Sequence, residues 1–203
     1  MAVDAPVQAE AETSTRQRYR FTRRIYHALI EAGVFDENSR VELVQGDLVT
    51  IAAINPRHAS AVDRLTNLLA AGVGRRAIVR VQNPFGIGDD SEPEPDLQLL
   101  KPDPDYYADR HPGPDEIYLA VEVSHTTVRY DREVKVPLYG KAGVAEMWLL
   151  DLNVNALEVY RTPSANGYDS MRRLKAGDQV SPLAFPDLIL EVAALLPPTE
   201  HGS

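Results

Sequence analysis

Ile117-Tyr118-Leu119-Ala120-Val121-Glu122-Val123-Ser124 is the stretch that decides how this chain folds. Eight residues dominated by β-branched, aromatic and aliphatic types predict a strand. Its lone charge, Glu122, sits near the end, where an acid among such neighbours is at least partly buried and needs a partner. Alternation places Glu122 on the sheet face of Ala120 and Ser124, away from Val121 and Val123.

On the upstream side, the acidic turn Glu94-Pro95-Asp96 runs into Leu97–Leu100, a second strand. Downstream, Tyr130 to about Ala142 predicts a helix entered through Tyr130-Asp131-Arg132-Glu133-Val134-Lys135. Pro137 inside it must either kink the helix or start a second helical turn. A further strand follows over Glu146–Leu152, with Trp148 read as core, and pairs in a hairpin with Ala156–Arg161. The segment Lys101–Asp115, rich in Pro, Asp and Tyr, reads as a surface insertion between strands of one sheet.

Two acids at strand ends and a lysine entering a helix are the ingredients of a divalent-metal hydrolase. Carboxylates on adjacent strands hold a hard cation such as Mg²⁺. The ion lowers the pKa of bound water and neutralises charge on a phosphoryl oxygen. A lysine orients that water or stabilises the transition state. Asp96, Glu122 and Lys135 supply the three chemical types, but plain alternatives stand beside each. Asp96 can merely end strand pairing, and Lys135, four residues after Asp131, can form a surface helix pair. His58 at a helix start is a ligand, a phosphate contact or a structural residue. Glu42 faces either the same pocket or solvent. His125 is either a general acid/base or an incidental turn residue.

The rest of the chain predicts a mixed α/β architecture, one sheet flanked by helices. Thr22 caps a helix to about Ala32 with Ile25, Leu29 and Ile30 on one stripe. Val41–Val44 and Leu48–Ile51 form a hairpin bending near Gly46. Asp36–Ser39 is a turn. Asn55 caps a helix from His58 to about Ala71, with Val62, Leu65, Leu68 and Leu69 recurring at helical spacing. Ala77–Gln82 and Pro84–Ile87 read as strands, Gly88–Glu94 as an exposed acidic loop, and Gly167–Leu174 and Leu188–Val192 as later strands. Residues 1–15 read as a disordered acidic tail, 16–196 as a single domain, and 197–203 as a frayed end.

Composition narrows the classes further. The chain has no cysteine, which excludes disulfides and thiolate metal sites. No signal-peptide core or membrane-length apolar run is present, so a cytoplasmic protein away from membranes is expected. A formal net charge of −9 counts against a non-specific grip on DNA, although bound metal would offset part of it. No Walker loop, dinucleotide-binding glycine pattern or Gly-x-Ser-x-Gly elbow occurs. The five histidines are scattered, with no i, i+4 pair of a helical zinc site.

Taken in order, Val41-Glu42-Leu43-Val44-Gln45-Gly46-Asp47-Leu48, His58, Glu94-Pro95-Asp96, Val121-Glu122-Val123, Tyr130-Asp131-Arg132 with Lys135, Pro137-Leu138-Tyr139, Ala142-Gly143-Val144 and Glu146-Met147-Trp148-Leu149-Leu150-Asp151 form a set that resembles the Uma-two family. That family is grouped with the restriction-endonuclease-like PD-(D/E)xK nucleases, and the resemblance spans roughly residues 20–195. It implies an αβββαβ core, preceded here by a helix and hairpin, and an endonuclease that hydrolyses phosphodiester bonds in nucleic acid, DNA before RNA. It also implies Asp96, Glu122 and Val123 as ligands of Mg²⁺ or Mn²⁺, with Asp96, Glu122 and Lys135 catalytic. Glu42, His58, Ser124, His125, Asp131 and Tyr139 are further candidates for the pocket. The nuclease pattern places its lysine two residues after the second acid. Ser124 stands there in this chain, and the matching lysine is Lys135 on the following helix. His125 also departs from the acid or proline common in relatives. A homodimer is expected if both strands of a duplex are cut. The competing reading is a catalytically silent nuclease-fold module acting in binding or assembly, suggested by the acidic charge and by Ser124.

Overall fold

The structure, a computed structural model, describes residues 18–35, 39–51 and 54–198. The acidic tail over residues 1–15, most of the Asp36–Ser39 turn and residues 199–203 of the C-terminal tail lie outside the described residues.

Helix α1 (Arg23–Glu31) starts at Thr22, whose Oγ1 accepts the Ile25 amide. Its buried residue is Tyr26, whereas Ile30 of the expected stripe is exposed. The Tyr26 hydroxyl donates to the Val41 carbonyl at 2.7 Å, which turns the aromatic side of the helix onto the hairpin. That hairpin, β1 (Val41–Val44) and β2 (Asp47–Thr50), turns at Gln45-Gly46 with φ of 50° and 77°. Two consecutive left-handed residues match the twist of the flanking strands.

Helix α2 (Pro56–Val73) begins at Asn55, whose side chain accepts the His58 amide, and places proline in its first turn. Its buried residues, Ala61, Val62, Leu65, Leu69 and Val73, recur at helical spacing. Six strands form the central sheet in the order β3 (Ile78–Val81), β4 (Leu97–Leu100), β5 (Ile117–Ser124), β6 (Glu146–Asp151), β7 (Ala156–Ser164) and β8 (Gly167–Lys175). All neighbours are antiparallel except β5 and β6, which are parallel. A parallel pair needs a crossover, and here it is the helical segment α3 (Val128–Tyr130), a π-helical stretch over Asp131–Lys135, and α4 (Val136–Lys141). The run α2-β3-β4-β5-α3/α4-β6 is the expected αβββαβ core.

Leu119, Val121 and Val123 of β5 pack with α2 on one face of the sheet. Ala120 packs on the opposite face with Tyr139 and Leu138 of α4. That alternation sends Glu122 toward the helix that carries Lys135. The last described elements are the short pair β9 (Gln179–Val180) and β10 (Leu190–Glu191), then α5 (Val192–Leu195).

Four local expectations need correction. Pro84–Ile87 forms no ladder beyond an Ile87–Ser91 bridge, because the Phe85 and Gly86 amides bond the loop carbonyls of Pro93 and Pro112. The loop Gly88–Glu94 is exposed only in part. Asp89 and Asp90 face solvent, but Ser91 and Glu92 are buried, and the Glu92 amide donates to the Leu43 carbonyl at 2.7 Å. The Leu188–Val192 strand shrinks to Leu190–Glu191, since Val192 already starts α5. Tyr107 of the insertion is buried, with its hydroxyl donating to the Lys101 carbonyl.

Pro137 sits just after the π-helical stretch, at the start of α4. A proline has no amide to close an α-helical turn, and a widened turn accommodates it. Behind the helix, Gly140 rests on Gly167 of β8; a Cβ on Gly140 would lie 2.3 Å from the Gly167 carbonyl carbon. Gly140→Ala is therefore expected to destabilise the fold by roughly 2 kcal/mol or more. Urea unfolding measures it, and a change within about 0.5 kcal/mol would show that the helix shifts freely off β8.

Candidate metal and substrate cleft

A cleft of about 320 Å³ opens where Asp96 enters β4, where β5 ends, and where the crossover helix begins. The local chain geometry explains each member. Asp96 follows Pro95 and immediately precedes β4, so its carboxylate reaches the neighbouring strand. Asp96 Oδ2 accepts the Val123 amide at 2.8 Å and lies 3.1 Å from His58 Nε2; Oδ1 accepts from Gln82 at 3.4 Å. His58 is placed there by the Asn55 cap that starts α2. Its Nδ1 is buried without a hydrogen-bond partner among the described residues.

Glu122 is 4% exposed, and its Oε1 accepts the Tyr139 hydroxyl at 2.6 Å. Lys135, also buried, bridges two acids, with Nζ 3.3 Å from Glu122 and 3.1 Å from Glu42. Glu42 Oε2 also accepts the Glu94 amide at 3.0 Å, which links the hairpin to the turn before β4. Lys135 thus forms a buried bridge rather than the surface pair with Asp131 that i, i+4 spacing allows. Asp131 is buried too, and accepts the hydroxyls of Ser124 at 2.6 Å and Thr127 at 2.7 Å. Ser124 does not line the cleft; its side chain fastens the start of the helix that delivers Lys135. Tyr139 lies behind Glu122 as a donor. Val123 and His125 line the cleft, and the His125 carbonyl accepts from Asn153 at 2.7 Å.

Burial and like charge set the protonation of these groups. Desolvation pushes the Glu122 carboxyl well above its ordinary range; Lys135 opposes that, while Asp131, Asp96 and Glu42 add to it. Lys135 loses solvation as well, but Glu122 and Glu42 outweigh that loss and hold its pKa above the usual lysine value. Burial and then Glu42 raise Glu94. Tyr130 is pushed up to about 12 by burial and then by Glu42, and its hydroxyl is buried without a hydrogen-bond partner among the described residues. Tyr130, Glu94 and Arg40 are lining residues that sequence reasoning did not single out.

Five carboxylates line this cleft against one lysine and one arginine. Such an excess of hard oxygen donors fits an Mg²⁺-class cation by its chemistry. They are not drawn into a tight cage, because Lys135 stands between Glu42 and Glu122 and His58 holds Asp96. Among the described residues, the His/Asp/Glu group with ligand atoms all within 4.8 Å of one another lies elsewhere, at His27, Glu92 and His111. No described helix is long and apolar enough to cross a membrane.

The mixed six-stranded sheet flanked by helices is a nuclease-like α/β fold. One solved structure that shares the fold is described as "a putative nuclease belonging to DUF820 from Anabaena variabilis ATCC 29413". The TM-score is 0.67 at 16% identity, over 82% of this chain and 96% of that one. The chain belongs to the Uma2 family, whose model, described as "Putative restriction endonuclease", matches residues 24–193. No curated protein matches it.

Proposed function

We propose that this protein is a divalent-metal-dependent endonuclease that hydrolyses phosphodiester bonds in nucleic acid, DNA before RNA. The observation that carries the reading is the meeting of Asp96, Glu122 and Lys135 in one carboxylate-rich cleft, in a chain of the Uma2 family. Asp96, Glu122 and the main chain of Val123 would hold Mg²⁺ or Mn²⁺. A bound divalent ion supplies Lewis-acid stabilisation and a more acidic water.

The chain's own residues do the rest. Val123 N–H and His58 fix the Asp96 carboxylate, and Tyr139 fixes that of Glu122. The Lys135 ammonium keeps its proton throughout the working pH range and places a fixed positive charge beside the attacked phosphate. The unpartnered Tyr130 hydroxyl gives the cleft one further donor for a phosphate oxygen or water. Cutting both strands would call for two such clefts in a symmetric dimer.

Plasmid and single-stranded DNA should be nicked or cut with Mg²⁺ or Mn²⁺, and EDTA should stop the reaction. Asp96→Asn, which keeps the side-chain volume, should lower the rate at least about a hundredfold. Equal cutting by wild type and Asp96→Asn would defeat the assignment.

A second reading is favoured by the pairing of Lys135 with two buried acids, which leaves its charge compensated. It is a silent nuclease-fold module. Calorimetry decides between them: no binding of Mg²⁺ or Mn²⁺ by the folded protein selects the module.

A further inference from the structure

A second cluster lies away from the acidic cleft and has no part in the reaction proposed above. A groove of about 610 Å³ is lined by Arg23 and His27 of α1, Arg80 of β3, and Tyr107, Arg110 and His111 of the insertion. It shares no lining residue with the acidic cleft. Glu92, only 2% exposed, stands between the two histidines. His27 Nε2 is 3.0 Å from Glu92 Oε2, and His111 Nε2 is 3.9 Å from Glu92 Oε1. The imidazoles stack at 6.2 Å with an interplanar angle of 17°, so both present Nε2 to one carboxylate.

We propose that His27, Glu92 and His111 form a transition-metal site of the zinc class, with water in the remaining position. Two ligands about 2.1 Å from a shared tetrahedral zinc stand roughly 3.4 Å apart. The two separations at Glu92 bracket that value. A hydrogen bond accounts for His27 but not for His111, whose distance is too long for one. Two imidazoles and one carboxylate select zinc-like ions over Mg²⁺.

Arg23 donates from Nε to Glu92 Oε2 at 2.7 Å, which fixes the carboxylate and leaves Oε1 turned toward His111. Such outer partners orient metal ligands. The other two guanidiniums of the groove are engaged elsewhere. Arg110 forms two 2.6 Å bonds to Glu116, and Arg80 donates to the Tyr106 carbonyl at 2.9 Å. Metal binding would clamp α1, the loop before β4 and the insertion after it.

The test reads metal binding and stability, not cleavage, so its outcome is independent of the nuclease reading. Zn²⁺ is titrated calorimetrically into the chelator-stripped full-length Asp96→Ala/Glu122→Ala protein. One equivalent should bind with a rise in Tm, and Co²⁺ should give a visible ligand-field band. His111 is half-exposed, so His111→Ala should leave the fold intact. It should weaken Zn²⁺ binding at least about tenfold and remove the Tm rise. Glu92→Gln should do the same. If the cleft variant does not fold, wild type is titrated instead, and the decision rests on whether His111→Ala removes one equivalent of bound Zn²⁺. No Zn²⁺ binding by the parent, or binding unchanged in His111→Ala, overturns the site.

Discussion

Lys135→Met is expected to remove roughly 3–5 kcal/mol of folding stability at neutral pH in chelator, the range for stranding a buried charge. Lys135 is 5% exposed and is the ammonium that stands between Glu42 and Glu122. Methionine keeps much of the stem volume, so the loss reports charge rather than a cavity. Two buried carboxylates are then left facing each other without their cation. Mg²⁺ should restore part of the loss, because an ion held by Glu122 and Asp96 would supply positive charge in the same place. On the proposed reading, cutting should stay at least about a hundredfold down even with Mg²⁺, since bound metal would not replace the charge of the lysine. Urea unfolding in EDTA and in Mg²⁺ measures both effects. A loss under about 1 kcal/mol in EDTA would mean that the two acids are already neutral without the lysine.

Glu122→Gln is expected to separate stability from function. Glutamine retains an acceptor for Tyr139 and mimics the protonated acid, but without the negative charge it would hold the proposed ion far more weakly. Metal binding and cutting should fall at least about a hundredfold. Stability moves the other way as pH rises. Burial raises the folded-state pKa of Glu122, so ionisation costs the wild-type fold stability. That cost is absent below the unfolded pKa, grows as pH rises, and is complete above the folded pKa. In EDTA, Glu122→Gln should therefore gain on wild type between the ordinary glutamate pKa and the raised one. Parallel unfolding curves across mildly acidic to mildly alkaline pH test this. A difference that does not change with pH would show that Glu122 is not held protonated by burial. In saturating Mg²⁺ the gain should shrink or reverse, because only wild type draws stability from the ion.

Much of this was legible along the chain because it is local. The run of β5 announces a buried strand, and its single acid requires a partner by the cost of desolvation. The structure supplies two, Lys135 and Tyr139. The Asn55 and Thr22 caps are equally local signals. Tyr130 was missed for a geometric reason. It is five residues from Lys135, about 140° round an ordinary α-helix, and the π-helical stretch between them brings both to one cleft. Glu92 was misread because neighbouring Asp89 and Asp90 are solvated, and nothing local says that its amide bridges to Leu43. The meeting of His27 with Glu92 spans 65 positions, well beyond the short separations that spacing rules for metal motifs cover.

The contact of Gly140 with Gly167 has a mechanical meaning for the cleft. Main chain touching main chain leaves no side chain to flex, so the β7–β8 hairpin turn acts as a datum surface against which the crossover helix is indexed. Lys135 stands about one turn up that helix. Its reach to the two carboxylates is thereby set from behind the helix, by a turn that does not line the cleft.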